Sequence, residues 1–516
     1  MSDALRQLWS IPQTWRWVTM GDISTVIGGG TPSTNDPSNF GGAIPWITPA
    51  DLTHHAERRI RQGARSISEK GLANSGARWL PEGSVLFSSR APIGYTAIAA
   101  QNVTTNQGFK SFALHAGVFP DYVYHWLCSS KQLAESMASG TTFLELSGAK
   151  ASQLPMPLPP TTEQDRIVAK LDELLSDLDA GVAELKAAQH KLQRYRQSLL
   201  KAAVEGALTA EWRQKNRPTE TGAELLQRIL RERRARWEEQ QLAKFAAQGK
   251  APPKGWKDKY PEPQPPKAEG LPELPEGWVW ASVEQLSPND LANGRSVPTA
   301  ASGARVLRLT AVKGGRIDLS EYKVGEWTDD EARPFAVAEN DLLIVRGNGS
   351  LALVGRAGLV GPVDMQVAFP DTLIRLRIIN SVASPAWLGL VWDSPFVRNH
   401  LEDRARTSAG IYKISQPDIE SALIPIPPLV EQTEILKASA QLEDEIRATE
   451  VGLAAAFTHS SAQRQNVLRA AFRGELVPQD PNDEPASVLL DRLRAERAVA
   501  KPVKAERKTR KAKGAA

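Results

Sequence analysis

Leu171, Leu178, Leu185, Leu192 and Leu199 fall seven residues apart in a stretch otherwise rich in charged side chains. Ile167, Leu174, Ala188, Tyr195 and Ala202 fill the companion position, with Gly181 as the one misfit. An apolar pair sustained over about five heptads predicts a coiled-coil seam rather than a general amphipathic face. A second stretch keeps Ile435, Leu442, Ile446, Leu453, Ala456 and Val467 in a similar pattern, interrupted by Thr449, Ser460 and Gln463. Roughly 40 helical residues at about 1.5 Å each span roughly 60 Å, enough to hold two globular blocks well apart. The regions before the helices have a different pattern. Short apolar runs such as VLFSS, TAIAA, DLLIV and TLIRLRI are broken by Gly, Pro, Asn and Ser, which predicts strands and turns. YVYHWLCSSKQLAESM and AWLGLVWDSPFVRNHL add helical patches late in each region.

The chain is written twice. IPQTWRWVTMGDI (11–23) corresponds to LPEGWVWASVEQL (274–286), PEGSVLFSSR (81–90) to AENDLLIVRG (338–347), and GTTFLELS (140–147) to TSAGIYKIS (407–415). LLKAAVEGAL (199–208) then matches VLRAAFRGEL (467–476), and LLQRILRER (225–233) matches LLDRLRAER (489–497). Between these anchors the halves differ almost throughout: a shared frame with divergent filling. Just before each long helix stands Pro-Pro-x-x-Glu-Gln-x-x-Ile, as PMPLPPTTEQDRI (155–167) and LIPIPPLVEQTEI (423–435). Thr161 as N-cap with Gln164 at N3 predicts a capping box in the first copy. Leu429 and Val430 replace the threonines in the second, so Glu431-Gln432 calls for a tertiary contact, to the opposite helix or to a partner. The expected fold is mixed α/β (α+β), with two duplicated globular domains separated by two long helices. These pair as an antiparallel coiled coil with pseudo-two-fold symmetry. The expected divisions are a first domain at 1–160, helices at 161–244, a proline-rich extended linker at 245–272, a second domain at 273–428, helices at 429–498 and a basic disordered tail at 499–516.

Composition narrows the class. With 41% hydrophobic and 24% charged residues and a formal charge of +4, the bulk numbers describe an ordinary soluble protein. The cations concentrate in the tail KPVKAERKTRKAKGAA, which either touches phosphate or keeps the chain soluble. One cysteine, Cys128, excludes an intramolecular disulfide and a Cys-cluster zinc site, and its apolar neighbours predict a buried thiol. No signal-peptide layout or membrane-spanning run is present, so a cytoplasmic, membrane-free protein is expected. There is no G-x-x-x-x-G-K-[ST] loop, no Asn-Pro-Pro-Tyr or Asp-Pro-Pro-Tyr tetrad, and no metal-ligand spacing among seven histidines. Glu321-Tyr322-Lys323 lacks the partner a nuclease element needs. The expected chain is non-catalytic, with no cofactor or metal of its own.

The doubled opening, SSRAPIG (88–94) followed by TNQGF (105–109), the paired PPxxEQxxI boundaries, the long helices and the LLxRxxxER helices together resemble the specificity subunit of type I DNA restriction–modification enzymes. That resemblance covers essentially the whole chain. It implies two target-recognition domains, each reading one half of a split, asymmetric site on double-stranded DNA, and helices that set the spacing. It implies docking of two methyltransferase subunits that use S-adenosylmethionine to methylate adenine. Restriction subunits that cleave DNA with ATP and Mg join the assembly, with one specificity chain per complex. A coiled-coil scaffold that joins proteins without touching DNA is the alternative. RGNGSLALVGRAG stands where the first half has SSRAPIG, so loops do not transfer simply between the halves.

Base readout needs donors and acceptors on loops, and phosphate contacts need Arg, Lys and hydroxyls. In the first half the candidates are Thr31, Ser33, Thr34 and Asn35 on a glycine-rich frame; Ser88, Ser89 and Arg90 at a strand end; and Asn106, Gln107 and Lys110. In the second they are Arg346, Asn348 and Arg356 beside a glycine-rich loop, and Arg404, Arg406, Thr407, Ser408, Tyr412 and Lys413.

Overall fold

The structure, a computed structural model, describes residues 9–140, 144–266, 270–288, 291–378, 383–408 and 410–500. The tail beyond residue 500 and residues 141–143 of GTTFLELS lie outside the described residues. Two compact units form, Met1–Leu185 with Ala454–Ala516, and Lys186–Leu453. Each contains one globular block, part of each long helix and one shorter helix.

In the first block a five-stranded sheet runs in the order Ser24–Gly28, Lys110–Leu114, Val85–Ser89, Ile93–Ala99, Arg59–Ile60. VLFSS supplies its buried centre; all five side chains of Val85–Ser89 are inaccessible. A three-stranded sheet of Arg65–Ile67, Phe40–Ile47 and Thr104–Thr105 lies beside it in the fold. The second block has a six-stranded sheet ordered Ala292–Asn293, Leu373–Leu376, Leu342–Val345, Ala357–Leu359, Arg316–Ile317, Val312–Lys313. Each block is closed by pairing its start with its end, antiparallel. Arg16–Thr19 pairs Pro155–Leu158 in one, and Val279–Ser282 pairs Leu423–Ile426 in the other. The Trp-x-Trp opening and the apolar run before Pro-Pro are thus two strands of one ribbon, which explains why both were duplicated.

The long helices are Thr161–Val204 and Leu429–Arg473. In the first unit Ile167, Leu171 and Leu175 share a core with Val467, Leu468, Ala471 and Phe472, and Asp179 pairs with Arg464. In the second unit Ala203 and Val204 share a core with Ile435 and Leu436, and Arg196 bridges Glu443 at 3.0 Å and Glu450 at 2.9 Å. In each unit, residue numbers rise on one helix as they fall on the other, so the helices pack antiparallel. The heptad pattern is incompletely buried: Leu178, Leu185 and Leu192 are half-buried and Tyr195 is exposed, whereas Leu171 and Leu199 are buried. The ends of the helix are covered by the blocks and its middle is not.

Two local expectations need correction. The first long helix begins at Thr161, with Pro160 O accepting from the N–H groups of Glu163 and Gln164, so no Thr161–Gln164 box forms. The Thr161 hydroxyl instead donates to Gly117 O. Cys128 is exposed, because it lies on the outer face of the helix Pro120–Ser129 whose other face carries Tyr122, Val123, Trp126 and Leu127 into the core. The proline-rich stretch packs on the helix before it. Trp256 stacks on Trp237 of the helix Gly222–Ala247, with ring centroids 5.8 Å apart, and Arg233 bonds the hydroxyl of buried Tyr260.

Candidate nucleic-acid interface

The Glu-Gln pair anchors each block. Glu163 is fully buried, and its Oε2 accepts from Trp15 Nε1 at 2.9 Å while Oε1 accepts from Gln479. Glu431 Oε2 accepts from Trp278 Nε1 at 2.9 Å, and Oε1 accepts from Thr209 Oγ1 at 2.7 Å and Arg213 Nε at 3.0 Å. Each carboxylate therefore ties the first tryptophan of its block's Trp-x-Trp opening to the segment that follows the other long helix. For Glu431 the tertiary contact is made to the segment beyond the other helix rather than to that helix. The glutamines bond the preceding prolines: Gln164 Nε2 donates to Pro159 O at 3.2 Å and Gln432 Nε2 to Pro427 O at 2.9 Å. Burial raises the Glu163 pKa from its usual 4.5 despite the two donors.

The segments that follow the helices repeat the same bonds. Gly474 and Gly206 end the long helices with φ of +76° and +71°, and an added Cβ would meet Pro12 and Pro275 at 2.4 and 2.5 Å. The turn needs the left-handed region and the prolines need the space, so glycine is required on both counts. The LLxRxxxER helices then dock through apolar contacts and one arginine each. Leu489 and Leu493 enter the first core, and Leu225 and Ile229 the second. Arg497 Nη2 donates to Ser24 O at 3.1 Å, and Arg233 Nε to Ser287 O at 2.9 Å. The first arginine of that motif is not the anchor; the last is.

With the frame held, the candidates of the first block separate into groups. The strand ends at Gly28, Ser89 and Lys110 lie together, since Gly28 is in register with Lys110 and Ser88 bridges Phe109. Ser88 and Ser89 are fully buried and cannot touch a ligand. The Ser88 hydroxyl donates to Pro92 O at 2.8 Å and accepts from Tyr95 N at 2.7 Å, and Ser89 donates to Gly108 O. They shape the loop that presents Arg90. Asn106 makes a turn by accepting from Gly108 N at 2.9 Å, which leaves Gln107 exposed. Arg90 and Lys110 both reach Glu145, at 3.4 and 3.5 Å. Thr31, Ser33, Thr34 and Asn35 are exposed on the loop leaving Gly30. The glycines there are steric rather than flexible. A Cβ on Gly29 would lie 2.0 Å from Asn106 O, and one on Gly30 2.2 Å from the Ala77 nitrogen.

In the second block a three-stranded sheet, Gly347–Asn348, Ile411–Lys413, Arg406–Ser408, gathers most of the candidates. Asn348, Tyr412 and Thr407 form one row across it, and Gly347, Lys413 and Arg406 the adjacent row. Tyr412 packs against the core, whereas Thr407, Lys413 and Arg406 are exposed. Arg346 directly precedes this sheet, and its carbonyl accepts from Ile414 N. Ser408 ends the third strand. Arg356 and Arg404 stand apart from the row. Arg356 is committed to Asp393 at 3.2 Å, and Arg404, at the end of the helix Pro395–Arg404, donates to His400 O.

One loop escaped the sequence reading. Gly294 N donates to Leu373 O as Gly29 N does to Phe109 O, and a Cβ on Gly294 would meet Pro370 O at 2.1 Å. Asn293, Arg295 and Ser296, all exposed, therefore occupy the place of the 28–36 loop. The signal was a single glycine instead of three.

The description "Type I restriction modification DNA specificity domain" belongs to the family model that matches residues 12–186. The specificity subunit of the type I restriction enzyme EcoKI from Escherichia coli K12 is 26% identical over 96% of this chain and 98% of its own length. Residues 12–186 thus match a type I specificity domain, and the chain is similar along nearly its whole length to a type I specificity subunit. The MjaIX specificity subunit of Methanocaldococcus jannaschii is 40% identical, over 32% of this chain and 40% of its own length. A solved chain from work on complex assembly and conformational transition of the type I R-M system shares the fold. Its TM-score is 0.62 at 19% identity, covering 91% of this chain and all of that one. Among specificity subunits the duplicated frame found here is thus matched along nearly the full chain. No helix among the described residues is long and apolar enough to cross a membrane.

Proposed function

We propose that the chain binds a bipartite, asymmetric site on double-stranded DNA, each block reading one half. The observation that carries this reading is the pair of edges just described. Equivalent backbone bonds build both, yet the exposed side chains upon them differ, as they must if two half-sites differ in sequence. The contacts come from Thr31, Ser33, Thr34, Asn35, Arg90, Asn106, Gln107 and Lys110 in the first block. Arg346, Asn348, Arg406, Thr407, Ser408 and Lys413 serve in the second. Arg356, Arg404 and Tyr412 act as supports, as do Ser88 and Ser89.

Two methyltransferase subunits dock on the long helices and methylate adenine with S-adenosylmethionine. Restriction subunits, using ATP and Mg, cleave unmodified DNA, and one specificity chain serves each cytoplasmic complex. Exposed apolar side chains on the helices, Tyr195 at 50% and Val451 at 66% accessibility, support docking there. Mapping methylated adenines on DNA treated with the assembled complex should yield one motif in two parts separated by a fixed spacer. Deleting one heptad around Leu178–Leu185 should change the spacer and leave both half-sites intact. Methylation confined to continuous palindromes would overturn the bipartite reading, and an unaltered spacer would overturn the role of the helices.

A further inference from the structure

Four positions at the reading edge correspond between the blocks through their backbone bonds. Leu146 N donates to Ser89 O as Ile414 N donates to Arg346 O, which matches Arg90 with Gly347 and Glu145 with Lys413. Ser139 bridges Glu145 as Arg406 pairs with Lys413, and Phe109 takes the part of Leu373, which matches Lys110 with Ile374. The first block thus carries Arg90, Lys110, Ser139 and Glu145, and the second Gly347, Ile374, Arg406 and Lys413. An acid bridging two bases has become two bases without an acid. Neither Arg406 nor Lys413 forms an ion pair among the described residues. Both are exposed, and they sit directly opposite each other on neighbouring strands. The exchange is coupled. Lys413 Cγ lies 3.1 Å from where a Cβ on Gly347 would stand, so the lysine stem crosses a place that any side chain would crowd.

Like charges facing each other across an antiparallel pair are destabilising unless an anion lies between them. The anion that a duplex offers is a backbone phosphate. At the matching place in the first block Glu145 is itself the anion; it repels phosphate and holds Arg90 and Lys110 in fixed directions. A carboxylate at a groove accepts from a base amino group, such as that of cytosine. We infer that these four positions form a charge switch, building on the DNA-binding function proposed above. Through it, the second block clamps a phosphate diester between Arg406 and Lys413, while the first turns Glu145 toward an exocyclic base amino group. The two half-sites are then held unequally: one mostly by charge, the other mostly by sequence.

The test is binding by the full chain, assembled with its methyltransferase partners, across a salt series. One duplex carries the complex's own methylation site and the other a scrambled site. Lys413→Gln and Arg406→Gln should each lower the slope of log affinity against log salt by about one, on both duplexes alike. Lys413→Arg should keep the slope, which separates a charge effect from a folding defect. Glu145→Gln should raise affinity for the scrambled duplex about two- to fivefold, so that discrimination falls. An unchanged slope in Lys413→Gln overturns the clamp. A Glu145→Gln variant that shifts both duplexes equally overturns the base contact. Wild-type complex with neither salt dependence nor preference between the duplexes would instead overturn the DNA-binding function itself.

Discussion

Glu163 and Glu431 occupy the same position in two copies of one motif and accept from equivalent indoles at the same distance, yet their second partners differ. Glu163 takes the neutral amide of Gln479, whereas Glu431 takes a hydroxyl and the Arg213 guanidinium. The reading edges differ in the opposite sense: there the first block has the acid–base contacts and the second has free cations. Duplication therefore preserved where bonds are made and left their chemistry free to drift. At the junction the drift changes how strongly a block is anchored, and at the edge it changes what a block can bind.

The largest effect should come from Glu431→Ala, which leaves Arg213 without its carboxylate beside a buried indole. Loss of a partly buried ion pair by removing one partner costs about 3–5 kcal/mol. Glu163→Ala strands only neutral donors and should cost about 1–3 kcal/mol. Denaturant unfolding of the full chain should show this order, and equal losses would mean that Arg213 adds nothing. Next, Gly29→Ala and Gly294→Ala should each destabilise by about 1–3 kcal/mol through contact with a backbone oxygen. A benign result at one site alone would show that the two loops are not built alike.

A smaller effect sharpens the junction comparison by pH. A carboxyl whose folded-state pKa exceeds its unfolded value contributes stability that is present below the unfolded pKa and lost as pH rises through the folded one. Glu163 is shifted that way by burial, so its own contribution to stability should fall as pH rises from about 4.5. Glu163→Gln should flatten that part of the profile in a melting series, and an unchanged profile would deny Glu163 the effect. The smallest change is expected for Arg464→Ala, which removes an exposed ion pair with Asp179. It should cost at most about 1 kcal/mol, well below any junction variant in the same assay.

Much of the frame was legible. The two tryptophan openings, the doubled Pro-Pro-x-x-Glu-Gln and the LLxRxxxER helices all mark contacts, because a contact that joins distant segments restrains both its ends. The capping box at Thr161 misled because its residue types also suit other partners, and the proline before it supplied the accepting carbonyl. At the site, Arg90, Lys413 and Arg406 stood out by chemistry. Ser88 and Ser89 look the same in sequence as serines that face water, and only strand pairing shows that they point inward. The loop at 293–296 was missed because one glycine carries little signal until its hydrogen bond to Leu373 reveals its equivalence to Gly29.

By itself the amino-acid sequence determined that the chain is a duplication of a block and a long helix, since periodicity and repeated punctuation are local properties. Only the tertiary structure decided that each buried glutamate binds its own block to the segment following the other helix. It alone also decided that Glu145 and Lys413 are counterparts. Those relations depend on which groups meet across long stretches of chain, and such meetings leave no mark in the local sequence on either side.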